Sequence, residues 1–324
     1  MAQPPQPAGV PGPADRIDAV AAAAEVPTAA ATPAGPSVPE RRDPSRTLLR
    51  SFLRSKAGVL SLVVLLGIVV VSLLAGQVAP YDPGQLNPAK SLLKPVWAGG
   101  SSDHLLGTDE LGRDLLSRLI FGARTALALA FGAATISAVV GTVLGLVGGM
   151  NRRWIGPVVD WLCDVQLAFP NIVLALVVIT SQGNSITSLL VVLSIFGWVH
   201  FARVVRSAVL TLRQADFVLA ARGSGGSTLS ITFQHILPNV MSSVLVLWTF
   251  AVATVLLLVS GLSFLGLGVQ PPASDWGQLF ASGRAFLIQN PWYAFMPAVA
   301  ITVTVLCATV LGRTLRTTLN PRTR

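Results

Sequence analysis

The stretch GARTALALAFGAATISAVVGTVLGLVGG, residues 122–149, decides what kind of fold this chain adopts. It contains one charged residue, and it is longer than the roughly 20 apolar residues that a helix needs to cross about 30 Å of hydrocarbon. Gly141, Gly145 and Gly149 recur every four residues, so they share one helix face and allow close approach of another backbone. Glycine is also generally frequent in such helices. The stretch predicts a membrane-spanning helix, with the three glycines as its packing face.

Five more apolar runs of similar length surround this one. They are residues 57–79, 160–181, 186–205, 239–262 and 294–312. The third span is the weakest, because Asp160, Asp164 and Pro170 interrupt it, and we expect its first turns to lie at the interface or against a partner helix. Only 11% of the residues are charged, whereas soluble domains carry about 25%. The sequence therefore predicts an all-α, polytopic membrane helix bundle of about six transmembrane helices.

The two ends of the chain differ from this hydrophobic body. Residues 1–45 contain ten prolines and no aromatic residue. Such a segment buries too little apolar surface to offset the entropy lost on ordering, so we predict that it is a disordered Ala/Pro-rich tail. Residues 46–319 are then one transmembrane domain, and residues 320–324 form a short cytoplasmic tail.

Positive charge is divided unequally between the two sides of the predicted bundle. Alternation of the six spans places both termini on one side, and loops rich in Lys and Arg mark the cytoplasm. With Arg16 left out, sixteen basic residues lie on that side: Arg41, Arg42, Arg46, Arg50, Arg54, Lys56, Arg152, Arg153, Arg203, Arg206, Arg213, Arg222, Arg313, Arg316, Arg322 and Arg324. Six lie on the other: Lys90, Lys94, Arg113, Arg118, Arg124 and Arg284. We therefore expect both termini to be cytoplasmic.

The sequence offers no catalytic site. None of the three histidines, His104, His200 and His235, lies in a metal-ligand spacing, and the chain has no G-x-x-x-x-G-K-[ST] loop for nucleotide phosphates. Asp160 and Asp164 lie one helical turn apart beside Arg152 and Arg153, which favours a structural ion-pair network over an aspartyl active site. We predict no catalytic residue, no metal site and no bound cofactor in this chain. The net charge of +9 is spread over the ends of apolar runs, so nucleic acid is not an expected partner.

A secondary transporter or a channel is the next alternative. Such proteins usually carry ionisable residues at mid-membrane, where they couple or select ions. The centres of the six predicted helices carry essentially no charge. If the chain takes part in transport, the energy must therefore come from another source.

The longest predicted cytoplasmic connection, residues 206–238, reads RSAVLTLRQADFVLAARGSGGSTLSITFQHILP. Phe217, Ala220 and Ala221 form a small apolar stripe on a predicted helix that Gly225 and its neighbour Gly226 end. These small residues leave the surface of the helix without large side chains that would block docking. An amphipathic helix pair at the membrane interface is the plainer interpretation of the same pattern.

The second half of this connection predicts another short helix. Ser227 is placed to cap it, and Leu229, Phe233 and Ile236 share one of its faces. Pro238 then begins the next span. The connection is thus predicted to be two short helices joined by a glycine hinge.

Three motifs in the same order resemble those of a known family. The pattern Ala220-Ala221-x-x-x-Gly225, followed after nine residues by His235-Ile236-Leu237-Pro238, resembles the "EAA" loop of permeases from ATP-binding-cassette (ABC) importers. The stretches HLLGTDELGRDLLSRLIFGARTAL (104–127) and GLSFLGLGVQPPASDWGQL (261–279) resemble the C-type subunit of dipeptide/oligopeptide permeases, which has nickel-importing relatives. The chain departs from the loop pattern at Leu219, where an acid is usual, and at His235, where isoleucine is usual.

The resemblance implies the partners and the roles of the loop residues. It implies a heterodimer with a second, homologous permease, two ATP-binding subunits that carry ATP and Mg²⁺, and an extracytoplasmic substrate-binding protein, all at the inner or plasma membrane of a bacterium. Residues 213–235 would be the coupling helix region that docks on an ATPase. The implied coupling residues are Phe217, Ala220, Ala221, Arg222, Gly223, Gly225, Gly226, His235, Leu237 and Pro238.

The same resemblance assigns the outer segments 80–121 and 263–293 to the binding protein. The stretch GTDELGRDLLSR, which begins at Gly107, is predicted to be an interfacial helix at the mouth of the path. Its charged residues Asp109, Glu110, Arg113 and Asp114 are either contacts for the binding protein or structural groups. We expect a di- or oligopeptide as substrate; nickel or another small solute is the alternative, since a nickel path would more readily show polar groups in the spans.

Overall fold

The structure of the protein is a computed structural model that describes residues 51–151, 153–270 and 273–319. Over these residues the chain is helical and contains no β-strand, which confirms the predicted all-α fold. The segment 1–45, predicted to be disordered, lies outside the described residues. The same holds for residues 46–50 at the start of the predicted membrane domain and for the tail 320–324.

Nine helices of the described part set its architecture. In chain order they are α1 (Lys56–Leu73), α2 (Leu115–Met150), α3 (Ile155–Ala168), α4 (Asn171–Gln182), α5 (Ile186–Leu212), α6 (Asp216–Gly223), α7 (Thr228–Phe264), α8 (Trp276–Gly283) and α9 (Pro291–Leu319). Five of them, namely α1, α2, α5, α7 and α9, are long and apolar enough to cross a membrane. The bent pair α3–α4 makes a sixth candidate span if it is counted as one.

The third predicted span is a broken one. The expected single helix 160–181 is two helices that meet at an angle of 83° around Phe169 and Pro170. Proline disfavours helical geometry in the residue before it and has no N–H to donate back into the preceding turn. Phe169 is accordingly extended, with ψ 134°, and α4 begins after Pro170.

Helix α2 begins at Leu115 rather than at the predicted residue 122. The Asp114 carboxylate accepts a 2.8 Å hydrogen bond from the backbone N–H of Ser117 and so caps the first turn. The predicted interfacial helix from Gly107 is therefore wrong. Residues 107–114 form turns, and only Leu115–Arg118 of that stretch is helical, as the start of α2.

The most extensive helix contact joins α2 and α5, which run parallel. A Cβ atom at Gly141 would come within 2.6 Å of Phe201 Cβ, and one at Gly145 within 2.7 Å of the Ala202 carbonyl oxygen. At Gly149 the same atom would lie 2.7 Å from Val209 Cβ. Lipid is as apolar as the helices, so close packing of this kind is what holds them together.

The main core lies between α2, α5 and α7, and its members are small or branched. They include Ala126, Ala130, Ala133, Ala134, Leu189, Val192, Leu193, Val252, Val255, Leu256 and Val259. Residues 79–114 and the described part of residues 265–290 cover one end of this core, and from here on we call these two stretches the outer segments. Trp276 Nε1 donates to the Leu119 carbonyl at 2.9 Å, and Asn290 Nδ2 donates to the Leu93 carbonyl at 3.0 Å. These two contacts join the outer segments to each other and to α2.

Candidate functional site

The loop between α5 and α7 is a compact unit built on α6. After α5 ends at Leu212, a short turn leads into α6, which ends at Gly223. Gly225 has φ +84°, a left-handed conformation that glycine enters without steric strain. The Ser227 hydroxyl then accepts a 3.2 Å hydrogen bond from the backbone N–H of Ser230 and caps the start of α7. The glycine turn and the serine cap lie where the sequence predicted them.

The second half of the loop differs from the prediction. The expected separate short helix is continuous with the next span, because a π-helical turn at Thr232–Ile236 links Thr228–Ile231 to Leu237–Phe264. Pro238, which has no N–H to donate into the preceding turn, follows the π-helical turn directly. Helix α7 therefore carries the loop directly into the bundle.

Three buried side chains hold the loop against the bundle. Val218 and Ile236 are fully buried and Ile231 is 2% exposed, and all three belong to a cluster with Val205, Val209, Val240 and Val244. We call Val218, Ile231 and Ile236 the anchor residues. Because α6 is attached through them, a force on α6 acts on the ends of α5 and α7.

The opposite face of the loop is apolar and exposed. Phe217 is 46% exposed, Phe233 59% and Leu229 72%. Ala220 is exposed three residues along α6 from Phe217, and the ring of His235 lies 6.4 Å from that of Phe217. Leu229 and Phe233 line a cavity that α2 also lines, so we call the surface of Phe217 and Ala220 the loop face.

The other residues assigned to the loop fall on both sides of it. Arg222, Gly223, Gly225, Gly226 and Pro238 are exposed. Ala221 and Leu237 are half-buried and pack on the anchor cluster, so they stabilise the loop and do not form its exposed surface. The predicted face of Leu229, Phe233 and Ile236 is also divided, since Ile236 is buried and the other two are exposed.

A second polar site lies in the outer segment. The Asp109 carboxylate is fully buried and accepts from Arg113 Nε at 2.6 Å, from Arg118, and from the backbone N–H groups of Leu111 and Arg113, each at 2.9 Å. Glu110 contacts Arg113 at 3.4 Å and accepts from the Tyr293 hydroxyl at the start of α9. The carboxylates thus tie the outer segment to α2 and α9.

Asp114 is equally internal. One of its oxygens lies 3.0 Å from His104 Nδ1, and the other accepts from the Ser117 hydroxyl at 2.7 Å. It is 3% exposed, so it and Asp109 are paired within the chain and the structural role of these two acids is favoured. Arg113 and Glu110 keep some exposure, and their contact with a binding protein stays a prediction.

The other outer segment contains a buried acid of its own. Asp275 is fully buried, accepts a 2.6 Å hydrogen bond from the Ser263 hydroxyl, and caps α8 by accepting from Gln278 N–H at 2.9 Å. Burial raises the pKa of the Asp275 carboxyl, although these hydrogen bonds oppose the rise. Asp275 connects the outer end of α7 to the start of α8.

The two acids of α3 find other partners than predicted. Asp160 accepts from Arg206 Nη1 at 2.6 Å, and Asp164 accepts from Arg203 Nη2. Both arginines belong to α5, so the predicted ion pairs of the two acids include another helix; Arg152, one of the two nearby arginines, lies outside the described residues. Across the ranges the structure describes, no group of three or more His, Cys, Asp or Glu side chains is arranged to hold a metal ion. The two pairs fasten α3 to α5.

A family profile described as the inner membrane component of binding-protein-dependent transport systems matches residues 141–324, more than half of the chain. The chain belongs to this family. A second profile, described as the N-terminal transmembrane domain of oligopeptide transport permease C, matches residues 44–95 of the permease.

Three similar permeases have curated names. The di/tripeptide transport system permease protein DppC of Pseudomonas aeruginosa is 37% identical over 86% of this chain and 92% of its own length. The dipeptide transport system permease protein DppC of Alkalihalophilus pseudofirmus is 33% identical over 86% and 90%. The glutathione transport system permease protein GsiD of Pectobacterium atrosepticum is 35% identical over 87% and 92%. The resemblance read from the three motifs is confirmed, and the chain is a multi-pass permease subunit of an ABC importer.

The sequence and the structure differ most in what holds the permease sites together. The motifs located the loop, but the anchor residues are ordinary Val and Ile in the sequence, and only their distant partners identify them. A signal was present for Val218, which is apolar and lies on the side of α6 away from Phe217 and Ala220. No local signal showed that Asp109 is buried.

Proposed function

We propose that this permease forms half of the path by which a bacterial ABC importer moves di- and oligopeptides into the cell. The observation that carries the proposal is the match, over about nine-tenths of their length, to relatives named for di/tripeptide, dipeptide and glutathione transport. Glutathione is itself a tripeptide, so all three named substrates are short peptides. None of these relatives is named for nickel, the alternative that the motifs left open.

Energy would enter through the loop face. A separate ATPase subunit, which would carry ATP and Mg²⁺, would dock on Phe217, Ala220 and their neighbours. The anchor residues would then pass the movement of the ATPase to α5 and α7, because Val218 of α6 is fully buried in one cluster with Val209 of α5 and Ile236 of α7. The geometry supports this role, since one face of the loop is fixed to the bundle and the other is open to a partner.

The remaining proposed partners are a second, homologous permease, a second ATPase subunit and an extracytoplasmic binding protein. The outer segments expose apolar side chains that suit contact with the binding protein: Trp97 is 56% exposed, Leu105 53% and Ile288 100%. These residues are better placed for such a contact than Asp109 and Asp114, which the chain buries.

We further propose that the loop face is cytoplasmic and that both termini share its side of the bacterial cell membrane. Arg203 and Arg206 lie within α5, and Arg118 and Arg124 within α2, so they are not loop charges. The remaining basic residues keep the same strong asymmetry, which marks the side of the loop face as the cytoplasm.

Cysteine labelling tests this orientation. In a background that lacks Cys163 and Cys307, Ile288→Cys is expected to react with a membrane-impermeant thiol reagent in intact cells, whereas Ser227→Cys is expected to react only after permeabilisation. Both positions are exposed, so accessibility to the reagent is set by the side of the membrane. Labelling in the opposite pattern would show that the charge asymmetry has been misread.

Uptake measurements test the substrate. Disruption of the chain is expected to abolish import of a labelled dipeptide and to confer resistance to a toxic one, because the second permease alone cannot form a complete path. Re-expression of the intact chain is the control and should restore both. If peptide uptake stayed normal while uptake of radiolabelled nickel collapsed, the peptide assignment would be wrong and the nickel alternative would replace it.

A further inference from the structure

Helix α5 carries a polar stripe on a face that the described residues leave open. His200, Arg203, Ser207 and Thr211 are all exposed. Their spacing of three and four residues places them one above another on the same side of the helix. A helix in contact with lipid along this side would be expected to carry apolar residues there instead.

The adjoining helix α3 adds two carboxylates to the stripe. Asp164 pairs with Arg203, and their side chains are 70% and 47% exposed. Asp160 lies 2.6 Å from Arg206, and their side chains are 45% and 18% exposed. The open face therefore presents both signs of charge, at two levels along α5.

The stripe occupies the half of α5 that leads into the loop. Gly141, Gly145 and Gly149 of α2 face Phe201, Val205 and Val209 of α5, so His200 is level with Val140 and Arg203 with Val143. At a rise of 1.5 Å per residue, these levels are roughly 15 and 10 Å from Met150, the end of α2. Half of the hydrocarbon layer is about 15 Å thick. With the end of α2 placed at the cytoplasmic surface, the stripe would extend from there to near the middle of the membrane.

Lipid is a poor environment for this face. A charged side chain inside the hydrocarbon is unfavourable and normally faces water or protein. Arginine can extend toward the surface along its own length, but an aspartate is too short to do so from Asp164, roughly 14 Å along α3 from Ile155. By contrast, the exposed side of α1 is apolar, with Val63, Leu66 and Val70 each at least half exposed.

An apolar cavity in the bundle is a less suitable place for a charged substrate. It has a volume of about 760 Å³, lies between α2 and α7, and is lined mostly by aliphatic and aromatic side chains such as Leu146, Met241 and Trp248. A peptide crosses the membrane with a terminal ammonium and a terminal carboxylate, and the side chains of the stripe are the ones that match this chemistry.

We propose that this face, His200, Arg203, Ser207 and Thr211 of α5 with Asp160 and Asp164 of α3, lines the cytoplasmic half of the water-filled path and supplies countercharges to the ends of a passing peptide. The proposal rests on the proposed function and adds to it the wall of the path. Exposed ion pairs are weak, so a carboxylate or guanidinium can exchange its partner for a peptide end and release it again. Contacts that are weak and repeated along a path suit passage rather than retention.

Thiol accessibility in the reconstituted importer tests the water-filled path. Val204 lies on the same face between Arg203 and Ser207 and is 39% exposed, while Val63 lies seven residues into α1 and is 59% exposed. In the cysteine-free background we expect Val204→Cys to react with a cationic methanethiosulfonate at least about tenfold faster than Val63→Cys, because a thiol ionises in water and not in lipid. Modification of Val204→Cys should also block peptide import.

The outcomes separate this proposal from the proposed function. Equal or slower reaction at Val204→Cys would overturn the assignment of the face to the path and would show that lipid or the second permease covers it. Peptide import by the unmodified complex is measured in the same vesicles. If that import were absent for the wild-type chain, the proposed function itself would fail, whatever the thiol rates.

A double variant tests the countercharges. Replacing a salt bridge by two apolar residues usually leaves a protein stable, so Asp164→Leu with Arg203→Met should insert normally. Its import of a dipeptide with free ends should fall at least about fivefold, the equivalent of one lost charged contact. Wild-type import by this variant would show that the pair only fastens α3 to α5. If the variant did not insert, Asp164→Asn in the same assay would decide whether the pair supplies countercharges to the peptide or only fastens α3 to α5.

Discussion

Replacing Gly225 by valine is expected to give a permease that inserts normally but imports peptide at less than about one-tenth of the wild-type rate. Gly225 has φ +84°, and a β-branched residue there is strained by about 1–3 kcal/mol. A Cβ atom at this position would meet no atom within 4 Å, so the strain lies in the backbone and not in a clash. The turn would open, α6 would move relative to α7, and a docked ATPase would no longer act on both.

Ala220→Trp tests the same loop through its surface. Ala220 is exposed, and a large ring there would overfill a docking groove at a cost of about 1–3 kcal/mol, which weakens docking roughly five- to a hundredfold. Ala221 is the poorer choice, because it packs on the anchor cluster and a large residue would disturb this chain as well.

Both loop variants are measured by import and by substrate-stimulated ATPase activity in the reconstituted complex. Gly67→Val is the matched control, since a Cβ there also meets no atom within 4 Å and Gly67 lies on α1, away from the loop. The affinity of the binding protein for peptide should be unchanged. Wild-type import by both loop variants would show that the loop is an interfacial helix pair without a coupling role.

Asp109→Asn is expected to have the largest effect on stability, with a loss of about 3–5 kcal/mol. The substitution removes the negative charge that Arg113 and Arg118 share, and the Arg118 side chain is only 5% exposed. Glu110 still lies near Arg113, but no other ion pair of Arg118 is present among the described residues. The outer segment would detach from α2, and the purified permease should unfold at a clearly lower temperature.

Asp103→Asn provides the matched control. Asp103 pairs with Lys90 at 3.1 Å, but both side chains are exposed, and exposed pairs add little to stability. Thermal unfolding of the two variants in detergent makes the comparison. Equal unfolding temperatures would mean that the buried pairs do not hold the outer segment. A stable Asp109→Asn permease that failed to import would instead favour a direct contact with the binding protein.

The sequence predicted where the spans lie better than where their helices end. Hydropathy reports which residues suit lipid, whereas a helix continues until a cap or a break stops its hydrogen bonds. Asp114 therefore starts α2 at Leu115, outside the apolar run, and a π-turn joins the loop to α7. Pro170 gave a local signal of the break in the third span, but not its angle of 83°.

Prediction of the functional sites from the sequence was limited in the same way, because contacts between distant residues have no local signal. The turn at Gly225 and the cap at Ser227 follow from residues next to each other in the chain, and both were predicted. The partners of Asp160 and Asp164 lie 46 and 39 residues away on another helix, whereas the local sequence points only to nearby Arg152 and Arg153. Burial of Asp109 likewise depends on how the outer segment folds over α2, which no local pattern shows.

The continuity of α7 gives the permease the mechanics of a rod. From Thr228 in the loop to Phe264 near Asp275, its 37 residues span roughly 55 Å, and only the π-turn at Thr232–Ile236 departs from regular winding. A rod of that length, tilted by about 10° around its midpoint, moves each end by about 5 Å. Such a tilt would transmit a movement of the ATPase directly to the opposite end of the bundle. Ser263, near the far end of α7, donates a hydrogen bond to Asp275, which caps the start of α8.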